Sequence, residues 1–170
     1  AVTVTIEVKV FGGIRFFLVG LPDVAVKESQ QRIEAAIRLL GFHCPGKQVV
    51  INMAPADIRK EGSSYDLPLA VGILAADEKI ARSEIESYIM MGELSLEGTL
   101  QPVRGILILA LRARDEGFQG VIVPVKNTRE AAVVVGIDVY GMEPLAAVVG
   151  CFNGTKKFNP VKVDLLGLFN

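Results

Sequence analysis

The stretch from Met53 to Ala76 constrains the fold more than any other, because a strand-like run ends there in a polar turn and the turn opens an apolar helix. Residues 49–51 are consecutive β-branched residues, which predict a buried strand. Pro55 has no N–H group for a sheet ladder and therefore predicts the end of that strand. Pro68 predicts the first position of the helix, where a missing N–H group costs nothing.

The polar turn consists of Lys60, Glu61, Gly62, Ser63, Ser64 and Asp66. Ser63 followed three residues later by Asp66 resembles a capping box, which predicts that one of these side chains bonds backbone N–H groups at the helix entrance. A helix entrance can also hold an anion or aim a nucleophile, because its first N–H groups have no partner within the helix. From the residues alone, capping, anion binding and nucleophilic chemistry all stay open.

The rest of the chain alternates strand and helix patterns. Residues 2–10 alternate apolar and polar side chains, and with a Gly-Gly turn and residues 14–19 they predict a β-hairpin. Asp23 and Gly41 predict the cap and the end of one helix. In the second half, strands near 88–91, 120–124 and 137–140 alternate with helices near 104–116, 127–136 and 143–150. This order predicts an α/β (α+β) fold, a mixed sheet with helices packed mainly on one face.

Length, charge and cysteine usage exclude several classes of protein. A chain of 170 residues is long enough for one domain with its own core, and a net charge of −1 gives no overall basic excess for binding phosphates. Cys44 and Cys151 lack CxxC spacing, which argues against a disulfide framework or a metal site and suits a reducing compartment. No apolar run approaches the roughly 20 residues that a membrane helix needs, so we expect no membrane partner and a cytoplasmic location.

A change in composition follows Asn153, where the sequence continues Gly-Thr-Lys-Lys. It predicts a domain over residues 1–154 and a linker or tail over residues 155–170. Residues 41–48 have G-x-x-x-x-G-K spacing, but this loop follows a helix and opens a strand, so no nucleotide site is predicted there.

Three long segments, at residues 19–29, 51–68 and 91–98, resemble the N-terminal domain of the ComM/YifB family, which is related to the magnesium-chelatase ATPase subunit. That domain is in turn similar to the proteolytic domain of Lon and to the Lon-like domain of RadA, and the resemblance implies their ribosomal-protein/GHMP-kinase type of fold. The family places this domain before an AAA+ ATPase module that binds ATP and magnesium; no segment here resembles that module. The resemblance implies a cofactor-free accessory domain, a homo-oligomeric ring in the full-length protein, and a part in DNA branch migration, recombination and natural transformation.

The resemblance to Lon places Ser64 at the position of the catalytic serine. A Ser-Lys dyad needs a desolvated, deprotonated lysine beside that hydroxyl. In the matching run Pro-Val-Arg-Gly-Ile-Leu, Leu107 occupies the position of the lysine. The dyad is therefore expected to be degenerate, and a serine hydrolase or peptidase that uses Ser64 with another base is the alternative.

Six cations of the first half are candidate contacts to DNA or to a neighbouring subunit. They are Lys27, Arg32, Arg38, Lys47, Arg59 and Lys60. The competing interpretation is that they are solvated charges balanced by Glu28, Glu34 and Asp57.

Overall fold

The computed structural model describes residues 3–11, 16–42, 48–55, 60, 62–81 and 84–161. The strands are β1 (Thr5–Phe11), β2 (Phe16–Val19), β3 (Gln48–Ala54), β4 (Tyr88–Met90), β5 (Glu93–Leu94), β6 (Leu100–Gln101), β7 (Gly120–Pro124) and β8 (Asp138–Met142). The α-helices are α1 (Val24–Lys27), α2 (Ser29–Leu39), α3 (Asp66–Ala76), α4 (Ile106–Asp115), α5 (Thr128–Ala132) and α6 (Leu145–Phe152). None of the helices within these ranges is long and apolar enough to cross a bilayer.

The first sheet is mixed and has the order β1-β3-β2. β1 runs antiparallel to β3 and β2 runs parallel to it, so the predicted hairpin of β1 and β2 is wrong. The reason lies in β3, whose Val49, Ile51 and Met53 are buried and which is protected best between two neighbours. β1 alternates half-buried and exposed positions and suits an edge.

The second sheet is parallel and has the order β4-β7-β8, and β5 pairs with β6 in a small antiparallel hairpin. All five residues of β7 are buried, as expected for the central strand of a covered parallel sheet. The predicted α/β fold with a mixed sheet is confirmed.

Three differences between the predicted and the observed helix boundaries have a physical reason. Asp23 caps α1 as predicted, since its Oδ1 accepts the N–H of Val26 at 2.8 Å, but the expected single helix is divided into α1 and α2. α3 begins at Asp66, so Pro68 is its third residue and still lies in the first turn, where no N–H is needed. α5 ends at Ala132, short of the predicted residue 136, because a run of three valines follows and β-branched side chains disfavour helix.

Two apolar clusters form the core. The larger one surrounds α3 and includes Ile33, Ile51, Met53 and Ile73. The smaller one lies between α4, β7 and β8 and includes Ile106, Ala110, Val121 and Val139. α3 packs closely on β1 at Gly72, where a Cβ atom would overlap the side chain of Val8.

Alkaline titration is expected to detect the burial of two of the three tyrosines. Burial, followed by the charge of Asp138, raises the pKa of Tyr140 to about 12, and burial also raises the pKa of Tyr88. The folded chain holds these protons more tightly than the unfolded chain. This stability is complete below the unfolded pKa of about 10 and is lost as the pH rises towards 12. Phenolate absorbance of the native and urea-unfolded chain measures the difference; identical titration curves would contradict it.

Candidate functional site

Asp23 holds the beginning of the polar turn. Besides capping α1, it accepts the N–H of Gly62 through Oδ2 at 3.0 Å. Its own N–H donates to the carbonyl of Lys60, and the N–H of Lys60 donates to Leu21, both at 2.9 Å. Gly62 has a φ of +83°, a left-handed conformation that favours glycine. The turn is therefore fixed to the segment that connects β2 to α1.

Asp66 anchors the end of the turn and is fully buried. Its carboxylate accepts four hydrogen bonds: Ser29 Oγ at 2.6 Å, Arg32 Nε at 2.6 Å, Arg32 Nη2 at 3.0 Å and the N–H of Leu94 at 2.9 Å. The hydrogen bond to Asp66 is the main reason that the pKa of Arg32 is raised, although partial burial opposes it. The carboxylate is thereby fully paired, as a buried charge requires.

The predicted capping box is wrong. Neither Ser63 nor Asp66 accepts a hydrogen bond from an N–H group of α3. Ser63 Oγ donates instead to Glu93 Oε2 at 2.7 Å, and the N–H that Asp66 accepts belongs to β5. A guanidinium is a stronger partner for a buried carboxylate than a neutral N–H group, which explains why the acid turns away from its own helix.

Ser64 stands where the turn meets a groove of about 730 Å³. The carbonyl of Ser64 accepts the N–H of Gly92 at 2.9 Å, which fixes its backbone against the residue before β5. Residues 3–9 of the β1 segment and α3 line the groove on one side, and residues 88–91 and α4 line it on the other. The groove is mainly apolar and could take a ligand with an apolar body.

Leu107 lies on α4 and is 38% exposed. It does not line the groove, whereas its neighbours Ile108 and Leu109 do. Its N–H donates to Glu130 Oε1 at 3.1 Å. Since a leucine accepts no proton, this position supplies no base.

Two lysines within the described ranges bear on the search for another base. Lys60 is fully buried, and its ammonium group donates to the carbonyl of Pro55. Lys9 lines the groove with Ser64 but belongs to the exposed face of β1. A Ser-Lys dyad needs a desolvated lysine, and the exposed Lys9 does not supply one. Sequence reasoning missed Lys9, because the alternation of β1 identifies it only as a polar-face residue.

Four of the six candidate cations lie within the described residues, and their surroundings differ. Lys27 and Arg38 are exposed on α1 and α2. Arg32 is occupied by Asp66, and the burial of Lys60 removes it from any surface for DNA. Lys47 and Arg59 lie outside the described residues, as do His43, Cys44 and Glu61. Within the described ranges, no group of three or more His, Cys, Asp and Glu side chains could hold a metal ion.

The fold and the site define a mixed α/β domain built around a polar turn that hydrogen bonds hold in place. Residues 6–127 match the family model described as subunit ChlI of magnesium chelatase, and the chain belongs to this family.

Three relatives are each similar to more than two thirds of this chain. The competence protein ComM of Haemophilus influenzae is 39% identical over 164 residues, which are 96% of this chain and 32% of that protein. The YifB protein of Salmonella typhimurium is 42% identical over 132 residues, 77% of this chain and 26% of YifB. Lon protease 2 of Bacillus subtilis is 30% identical over 120 residues, 71% of this chain and 20% of the protease. The chain spans about a third of the length of ComM and of other curated relatives that it matches.

Proposed function

We propose that this chain is the non-catalytic accessory domain of a ComM/YifB-type AAA+ ATPase, and that it helps the attached ring to assemble or to engage DNA. The observation that carries the proposal is that position 107, where the Lon-like resemblance expects the catalytic lysine, holds an exposed leucine that does not line the groove with Ser64. Ser63 and Asp66 are engaged in contacts that hold the turn, which also favours a structural role over a chemical one.

The full-length protein is proposed to bind ATP and magnesium in its AAA+ module and to act in DNA branch migration, recombination and natural transformation. Membership of the magnesium-chelatase family and the similarity to the competence protein ComM support this part. The domain itself is proposed to need no cofactor.

The alternative is a serine hydrolase, favoured by the position of Ser64 in the groove and by the similarity to Lon protease 2. A serine-directed fluorophosphonate separates the two functions, because it labels only an activated hydroxyl. We expect no labelling of the wild-type chain above the level of Ser64→Ala, while a Lon protease treated in parallel is labelled. Leu107→Lys is expected to stay at the same background, because the side chain at 107 does not line the groove. Stoichiometric labelling that Ser64→Ala abolishes would establish the hydrolase.

Engagement of DNA is tested through its salt dependence. If Lys27 and Arg38 contact phosphates, the double variant Lys27→Glu/Arg38→Glu should lower the slope of log affinity against log salt by about 1.4–1.8, since each contact contributes about 0.7 on single-stranded and 0.9 on duplex DNA. Fluorescence anisotropy with labelled branched and single-stranded DNA measures this.

The matched control is Arg104→Glu/Lys126→Glu, which changes the net charge equally at two other exposed positions. Equal reductions of the salt slope in both double variants would mean that the effect comes from overall charge and not from contacts of Lys27 and Arg38. Absence of binding at low salt in an oligomeric preparation would remove DNA engagement from the proposal and leave ring assembly.

A further inference from the structure

Residues 155–161, which we name the strap, fold back onto the domain after α6. Gly154 turns the chain with a φ of +77°. The carbonyl of Gly150 then accepts the N–H groups of Thr155 at 2.9 Å and Lys156 at 3.1 Å, and Thr155 Oγ1 also donates to it at 3.2 Å. A Cβ atom at Gly150 would lie 3.1 Å from atoms of both Thr155 and Lys156, so this glycine permits the close approach.

Phe158 anchors the middle of the strap in an aromatic cage. Its ring stacks on Tyr88 with centroids 5.0 Å apart and planes 9° apart. It meets Tyr140 and Phe152 edge to face, at 5.2 Å and 5.4 Å. The three partners come from β4, β8 and α6, so one side chain of the strap contacts three elements. Aromatic pairs of this geometry contribute beyond the area that they bury.

The end of the strap reaches the outer edge of the second sheet. The N–H of Val161 donates to the carbonyl of Val139 at 2.7 Å, on the side of β8 that does not face β7. Between Phe158 and α6, Cys151 Sγ donates to the carbonyl of Lys157 at 3.7 Å. The strap is therefore attached at its beginning, middle and end, in contrast to a flexible linker, which makes no such contacts.

We propose that the strap is a fixed coupling element that transmits its position, through Phe158 and Tyr88, to β4 and the groove. Tyr88 connects the strap to the groove, because its ring stacks on Phe158 and Tyr88 also lines the groove. What the strap couples rests on the proposed function, in which an ATPase module is attached; that the strap is fixed does not.

Backbone NMR of the chain tests the strap directly. In the wild type, the amides of residues 155–159 and of Val161 are expected to show heteronuclear NOE values equal to those of α6, and Val161 is expected to be protected from exchange. In Phe158→Ala, exchange at Val161 should rise at least about tenfold, as for a segment that opens locally, and the amide shifts of Ile89 and Met90 should move. Leu96→Ala, which truncates an exposed side chain of similar apolar size, is the control and should change neither.

Gly150→Ala tests the same idea without removing a core ring, in case Phe158→Ala does not fold. The added Cβ would lie 3.1 Å from Thr155 Oγ1 and from Lys156 Cγ, so it should loosen the beginning of the strap while the cage residues remain. Wild-type strap amides that exchange like an unstructured peptide would overturn the inference. A released strap that leaves β4 unchanged would overturn the coupling through Tyr88. Neither readout involves DNA or hydrolysis, so the accessory-domain proposal can fail while the strap stands, and the reverse.

Discussion

Replacing Asp66 with alanine is expected to lower the free energy of unfolding by about 3–5 kcal/mol, because it breaks a buried ion pair and leaves the other charge without a partner. Arg32 would keep a side chain that is only 18% exposed without the carboxylate that pairs with it, and only the weaker attraction of Glu93 and Glu28 would remain. Ser29 Oγ and the N–H of Leu94 would also lose the acceptor that they share. Urea denaturation followed by far-UV circular dichroism measures the loss, which suits a chain without tryptophan.

Two further variants define the reason for this loss. Asp66→Asn keeps an acceptor for Ser29 and Leu94 and should cost less than Asp66→Ala. Arg112→Ala breaks the exposed i,i+4 pair of Arg112 and Glu116, whose side chains are 44% and 34% exposed, and should cost no more than about 0.5 kcal/mol. A cost for Asp66→Ala as small as that of Arg112→Ala would mean that the ion pair does not hold the turn.

The Asp66 network also marks how far the sequence could predict the site. The polar turn and the helix after it are local features, and local patterns located both. Arg32, the partner of Asp66, is 34 residues away on α2. Nothing in the local sequence of either helix indicates that these two side chains pair. The sequence identified Arg32 only as one of six candidate contacts to DNA or to a neighbouring subunit. Arg32 pairs with Asp66 rather than with solvent because tertiary packing buries the carboxylate, and a buried carboxylate needs a charged partner.

Sheet order was missed for a related reason. β1 and β2 are adjacent in sequence with a turn between them, which favours a hairpin on local grounds. The observed sheet places β3 between them, because a strand with three buried apolar side chains gains more from the central position than β1 or β2 does. Strand existence was predictable from alternation, whereas the competition between strands for the centre is a property of the whole core.

The three sequence segments that carry the family resemblance meet at the polar turn. Asp23 and Ser29 belong to the first segment and form hydrogen bonds with Gly62 and Asp66 of the second. Ser63 and Asp66 of the second bond Glu93 and Leu94 of the third. The residues that define the resemblance are thus the residues that hold the turn in place. This arrangement favours a scaffold role for the turn, since none of these contacts supplies Ser64 with a base.

Gly20→Ala is expected to destabilise the chain by at least about 3 kcal/mol, by adding overpacking to backbone strain. Gly20 follows β2 and has a φ of +111°, a conformation that side chains rarely adopt. A Cβ atom there would overlap the backbone carbonyl oxygen of Met53 in β3, and a backbone atom in the middle of a sheet cannot move aside as a flexible side chain can. The expected result is a large fall in the urea midpoint, with an unchanged dependence on urea concentration.

Gly41→Ala is the matched control, because it separates packing from strain. Gly41 also has a positive φ, +83°, but a Cβ atom there would meet nothing within 4 Å. Only the cost of the left-handed backbone remains, about 1–2 kcal/mol. A clearly larger loss of stability for Gly20→Ala than for Gly41→Ala measures the close approach of β2 and β3. This approach places Leu21 and Asp23 where they form hydrogen bonds with Lys60 and Gly62. Equal costs for the two variants would show that β2 and β3 can separate at this point, and the turn would then lack the support that Asp23 is inferred to give it.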